Sequence, residues 1–153
     1  MDRIKTASEM LKNADYEGKA QRSAKGRCVC HNAFKNDNIR MSENGEMTVS
    51  GLDSCTYGVC ASDLAQLIRR YIKSDLADEA GVADIIDSYR SERPITDGEM
   101  EIIRGLLVYP YKFLKLCNEH YNKRRVCISE AAVERFENCA KCGDREMKFA
   151  MSI

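Results

Sequence analysis

Proline, net charge and long apolar runs are all scarce in this chain of 153 residues. Only two prolines interrupt it, so most of its length is free to form helix. Lys and Arg number 24 and Asp and Glu also number 24, which leaves no whole-protein field to draw it to nucleic acid or an anionic surface. The longest basic cluster, Lys123-Arg124-Arg125, follows a helix-like segment and reads as a C-terminal cap in solvent. No apolar stretch approaches the ~20 residues of a membrane span. The N-terminal MDRIKTASEMLKNAD is polar and amphipathic, without the apolar centre of a signal peptide, so synthesis in the cytoplasm is expected. Nucleic acid and membrane are thereby excluded as expected partners.

What remains is a globular composition, 44% hydrophobic and 31% charged, enough for one domain with a proper core. Eight cysteines stand out. With no secretory signal, reduced thiols are the default reading. Two pairs, Cys28-x-Cys30 and Cys139-x-x-Cys142, raise a structural zinc, although the first spacing is one residue short of the usual minimum. Cys117 sits on an apolar stripe and reads as core.

Along the chain, Ala7 to Lys25 reads as helix interrupted near Asp15. Arg27 to Cys30 reads as a short strand leading into a loop. Asn38–Met41 and Met47–Val49, joined by Ser-Glu-Asn-Gly, read as a hairpin. The period then becomes helical. Leu64, Leu67, Ile68, Tyr71 and Ile72 make one stripe, with Ser62 as its N-cap. Val82, Ile85, Ile86 and Tyr89 make a second, which Arg93-Pro94 ends. Thr96 and Glu99 form a capping-box pattern ahead of Met100, Ile103 and Leu107. Pro110 opens a helix through Phe113 and Tyr121, and Ser129 caps another running to about Cys142. The tyrosines and Phe113 read as core, and the tail from Gly143 as frayed. The sum is an α+β, mostly helical single domain spanning 1–153, with its core in 7–142, a small hairpin region and about five to six helices.

One stretch carries chemistry. In "CVCHNAFKNDNIRM", His31 begins a loop and Asn38 stands seven positions later; Asp53 follows the hairpin and Asp63 begins the next helix. Phosphoryl transfer needs an Asp base on such a loop, an Asn and a second Asp as hard oxygen ligands for Mg²⁺, and little else from the protein. Asp63 reads equally as a residue that hydrogen-bonds the loop backbone and holds its shape or as a plain helix cap, and Asp53 equally as an ordinary loop acid after Gly51.

These pieces resemble the catalytic half of the aminoglycoside phosphotransferase and choline kinase group, whose members carry His-Gly-Asp-x-x-x-x-Asn, a strand ending in Asp, and an Asp-Leu helix start. With "IIDSYRSERPI" and "LLVYPYKFLKLCNEHYNKRR" added, the chain resembles the CotS-type spore coat proteins in colinear order from Ala7 to Phe136. That resemblance implies the C-terminal lobe of a protein-kinase-like fold and a place in the spore coat. It also implies vestigial Mg²⁺ ligands at Asn38 and Asp53, a loop-ordering role for His31, and a structural role for Asp63.

Two departures count against activity. The position of the catalytic base is Ala33, whose methyl group neither orients a hydroxyl nor takes its proton. General-base assistance is worth about 10²–10⁴-fold in rate. Asp37, beside Asn38, is not expected to substitute. Moreover, only thirty residues precede His31, with no Gly-rich motif among them, so the expectation is a chain without the N-terminal ATP-binding lobe. The leading expectation is a non-catalytic structural or scaffold protein of the spore coat, self-associating or docking onto other coat proteins. No resident cofactor is expected, residual Mg-ATP binding being the one candidate. The alternative is a phosphotransferase fragment completed by a separately encoded ATP-binding lobe. A zinc-stabilised binding module is the weaker third reading, and disulfide cross-linking in an oxidised coat a further use for the thiols.

Overall fold

The computed structural model describes residues 2–122 and 129–153. The Lys123–Arg125 cluster and Cys127 lie outside the described residues. The chain opens with α1 (Arg3–Asn13), capped by the Asp2 carboxylate, and α2 (Tyr16–Lys25). Between them Asp15 adopts φ 52°, a left-handed turn that breaks the helix where the sequence predicts. Four short strands follow: β1 (Val29–Cys30), β2 (Ile39–Met41), β3 (Met47–Val49) and β4 (Thr56–Tyr57). They form two separate antiparallel pairs. β2 pairs β3 with Ile39 opposite Val49, while β1 pairs β4 with Val29 opposite Tyr57.

The remainder is helical: α3 (Ala61–Tyr71), α4 (Glu79–Glu92), α5 (Asp97–Val108), α6 (Tyr111–Asn122) and α7 (Glu130–Ser152). Seven α-helices are present among the described residues, in line with the mostly helical expectation, the first two being the halves of the helix interrupted at Asp15. α5 is the pillar. Ile102, Ile103, Leu107 and Val108 on it are fully enclosed by α1, α3 and α7. Burying a side chain of this size contributes about 1.5–3 kcal/mol, so this helix carries much of the stabilisation. Its start is the expected capping box, with Thr96 Oγ1 accepting from the Glu99 N–H and the Glu99 carboxylate accepting from the Thr96 N–H. The extended backbone at Arg93 ends α4, and Asp78 and Ser129 cap α4 and α7.

Several expectations are corrected. The tail is not frayed, and the folded unit is not confined to 7–142. α1 begins at Arg3 and α7 continues to Ser152, burying Gly143, Glu146, Phe149 and Ala150. These positions recur at helical spacing, Gly143 and Glu146 meeting Arg3 of α1, and α7 packs along α5, so the tail is ordered by packing rather than left in solvent. Ser62 is not the cap of α3. The helix starts one residue before it, after Cys60, and no side chain caps it. Finally, α6 buries no side chain among the described residues: Phe113, Tyr111 and Tyr121 are exposed and Cys117 is half-buried. Its contact is with α7, where Phe113 meets Phe136 edge to face at 5.8 Å, and this covers only one side of it.

Candidate functional site

The loop between β1 and β2 is held from below by one carboxylate. Asp63, in the first turn of α3, accepts the His31 N–H through Oδ2 at 2.6 Å and the Asn32 N–H through Oδ1 at 2.8 Å. Two charge-assisted bonds from one side chain fix two consecutive peptide planes. The second of these is unusual. Asn32 has φ 56°, a conformation costing an ordinary L-residue roughly 1–2 kcal/mol, and one that asparagine tolerates. Its side-chain amide then donates to the Ser54 carbonyl at 3.1 Å and to Thr56 Oγ1 at 2.9 Å, tying the loop to the β4 entry. In the resembling families glycine occupies this position; here asparagine meets the same backbone demand and adds two bonds.

His31 closes the loop from the other side. Its Nε2 contacts the Ser50 carbonyl at 3.0 Å, and its Nδ1 contacts the Ala33 N–H at 3.2 Å. Both contacts are satisfied at once by the neutral tautomer with the proton on Nε2, which donates to Ser50 while Nδ1 accepts. Asn38 Nδ2 donates to the Ala33 carbonyl at 2.8 Å, spanning the loop's two ends. Gly51 makes room for it. A Cβ at that position would meet Asn38 Nδ2 at 2.5 Å, and φ 80° there suits only glycine. The loop is therefore built in full around position 33, and at that position stands a methyl group. Asp37 does not stand in for the missing acid: its side chain is 82% exposed and pairs with Lys35 at 3.5 Å.

Asp53 lies exposed on a single turn, Leu52–Ser54, and neither its carboxylate nor Asn38 Oδ1 has a hydrogen bond among the described residues. Both are hard oxygen donors of the kind Mg²⁺ takes when phosphates and water complete its shell. No group of three or more His, Cys, Asp or Glu side chains is placed to hold a metal ion among the described residues. The zinc reading is left without a ligand set there. Cys28 is exposed and Cys30 buried on β1, and Cys139 and Cys142 lie on α7. Burial, with Cys60 nearby, pushes the Cys30 thiol up to about 12, which makes it inert as a nucleophile.

Beneath α3 a second constellation was not legible in the sequence. Glu146 of α7, nearly inaccessible, receives Arg69 of α3 at 3.5 Å and Arg3 of α1 at 3.9 Å. Burial raises the Glu146 carboxyl despite both guanidinium groups. Arg69 also donates to the carbonyls of Leu106 and Leu107 in the last turn of α5 and to that of its C-cap, Tyr109. Three helices are thereby latched under the loop-bearing helix. The roles of Asn32, Ser50 and Thr56 also escaped sequence reading; the one available signal was an asparagine directly after the loop histidine.

A short strand, a carboxylate-clamped loop, a hairpin and a helical body define the helical lobe of a protein-kinase-like fold. The chain superposes on the aminoglycoside phosphotransferase from Alicyclobacillus acidocaldarius subsp. acidocaldarius DSM 446 with a TM-score of 0.72 at 15% identity, covering 99% of this chain and 46% of that one. It thus spans about half the length of that phosphotransferase. At that identity the likeness shows the fold. Residues 4–153 match the family model of the spore coat putative kinase YutH, and the chain belongs to that family. Spore coat association follows from that membership, in keeping with the CotS-like resemblance. No helix among the described residues is long and apolar enough to cross a membrane.

Proposed function

We propose that this chain is a non-catalytic, kinase-derived structural element of the spore coat. The observation that carries the reading is Ala33. Every neighbour that shapes the loop is engaged, yet no carboxylate stands where a hydroxyl acceptor would lose its proton. The loop then serves as a rigid platform. Exposed apolar side chains support docking onto other coat proteins or onto a second copy: Val29 and Tyr57 pair across β1 and β4, and Met41 and Met47 across β2 and β3. Synthesis in the cytoplasm, before assembly into the coat, completes this reading. Incubation with radiolabelled ATP, Mg²⁺ and a panel of small hydroxyl and amino acceptors tests it, background turnover being the expected result. Mg²⁺-dependent phosphate transfer by the natural chain, lost in Asp53→Ala, would overturn it.

The open oxygens of Asn38 and Asp53 favour a second reading, a phosphotransferase fragment retaining Mg-ATP affinity and completed by a separate ATP-binding lobe. Calorimetric titration of Mg-ATP into the chain and into Asp53→Ala separates the two. Heat abolished by the substitution supports the fragment, and no heat from either protein supports the scaffold.

A further inference from the structure

We propose that the cleft between α3 and the α5–α6 junction is a binding site for a small phosphate-bearing polyanion, held by Arg70, Lys73 and Lys112. The cleft measures about 580 Å³, within the range of small-ligand sites. Four cations line it, these three and Arg69, and no Asp or Glu does. In a chain whose charges balance 24 to 24, that is a local field of one sign.

Arg69 is engaged directly by Glu146 and the α5 carbonyls, and Lys73 and Lys112 feel the same carboxylate at longer range. Arg70, Lys73 and Lys112 make no ion pair among the described residues. Lys73 follows the end of α3 and Lys112 opens α6, so two separate elements bring like charges to one place. Lys73 and Lys112 both reach solvent at the cleft rim; partial desolvation there, and then the adjacent Lys112 ammonium, pull Lys73 down to about 8, while Glu146 and Cys142 of α7 act the other way. Such a juxtaposition is unfavourable when empty. An oxyanion between the two ammonium groups turns the repulsion into two attractions. The positive dipole end of α6 opens on the same cleft, which Tyr16 and Tyr109 also line. This placement also gives the Tyr-Pro-x-Lys-Phe segment, 109–113, a use beyond core packing, since α6 buries no side chain. Multiple charge at small volume suits a di- or oligophosphate group better than a single carboxylate.

Isothermal titration of pyrophosphate in EDTA tests the site without involving Asp53 or a metal. Lys73→Gln and Lys112→Gln are each expected to weaken binding ~tenfold, the loss of one charge-assisted contact. Lys5→Gln, an exposed cation on α1, should leave it unchanged. Because binding favours protonated Lys73, affinity should fall as pH rises through about 8, with proton uptake visible as a buffer-dependent enthalpy. Thermal unfolding without ligand checks that each variant folds, and Arg70→Gln, at an exposed position, probes the same cleft should Lys73→Gln not fold. Absence of pyrophosphate binding, equal affinity in wild type and cleft variants, or an equal loss in Lys5→Gln would overturn the proposal. Citrate binding as tightly as pyrophosphate would overturn the phosphate assignment.

Discussion

Replacing Asp63 by alanine should unfasten the loop and cost more than any other single polar change at the site. Its carboxylate accepts two backbone N–H groups at 2.6 and 2.8 Å, both within hydrogen-bond range of a charged acceptor. A hydrogen bond to a charged group contributes about 1.5–3 kcal/mol, and removing the acceptor leaves two half-buried donors without partners. The two are not independent, since both fix the same turn, so the sum is taken near the lower bound, ~3–4 kcal/mol. In a chain of this size each kcal/mol moves the melting temperature by about 2–4 °C, which gives a drop of roughly 6–16 °C. Asp63→Asn should cost less, ~2 kcal/mol, because one carbonyl acceptor remains while the amide NH₂ opposes the second N–H. Urea unfolding followed by circular dichroism measures the free energies. Amide hydrogen exchange at His31 and Asn32 locates the effect, as both amides should lose protection before the helical body opens. A cost under ~1 kcal/mol for Asp63→Ala, with both amides still protected, would refute the clamp and mean that the strand pairing of β1 with β4 alone holds the loop.

Three further outcomes are expected. Phe149→Ala should cost about 3–5 kcal/mol by urea denaturation, as for an enclosed core aromatic, and a loss below ~1 kcal/mol would restore the frayed tail. Gly105→Ala places a Cβ 2.9 Å from Leu11 Cγ at the crossing of α5 with α1; overpacking of about 1–3 kcal/mol then outweighs the ~1 kcal/mol gained in helix propensity, so the urea midpoint should fall rather than rise. Burial alone would raise Glu99, but the Thr96 N–H and the Arg93 guanidinium at 2.6 Å outweigh it and hold the carboxyl below its ordinary 4.5. Its contribution is therefore present above pH 4.5 and lost as pH falls through the lowered value in the fold. The stability gap between wild type and Glu99→Gln, read from urea midpoints, should shrink from neutral pH to about pH 3.

The helices that could be read in advance share one property: their buried faces are written in aliphatic residues. Leu64, Ile68 and Ile72, or Met100, Ile103 and Leu107, state period and face together, and the Thr96–Glu99 pair marks a start by local chemistry. The end of α7 breaks that code. Its buried stripe includes Gly143 and Glu146, one with no side chain and the other charged. Only the partners Arg3 and Arg69, distant in sequence, make Glu146 an inward residue. α6 fails in the opposite sense. Its apolar period is clear, but periodicity says which face is oily, not whether anything covers it.

The site divides the same way. His31, Asn38, Asp53 and Asp63 lie in one stretch of chain and could be placed by spacing, whereas the bonds of Asn32 to Ser54 and Thr56 depend on β1 and β4 pairing. The basic cleft is the extreme case. Arg70 and Lys73 end one helix, Lys112 opens another, and each looks alone like an ordinary solvated charge. Their meaning lies in convergence on a cleft that no carboxylate lines. Glu146, already held by Arg3 and Arg69, offsets only part of the repulsion between Lys73 and Lys112. An anion in the cleft, whose wall also includes Asn32 of the loop, would offset the rest.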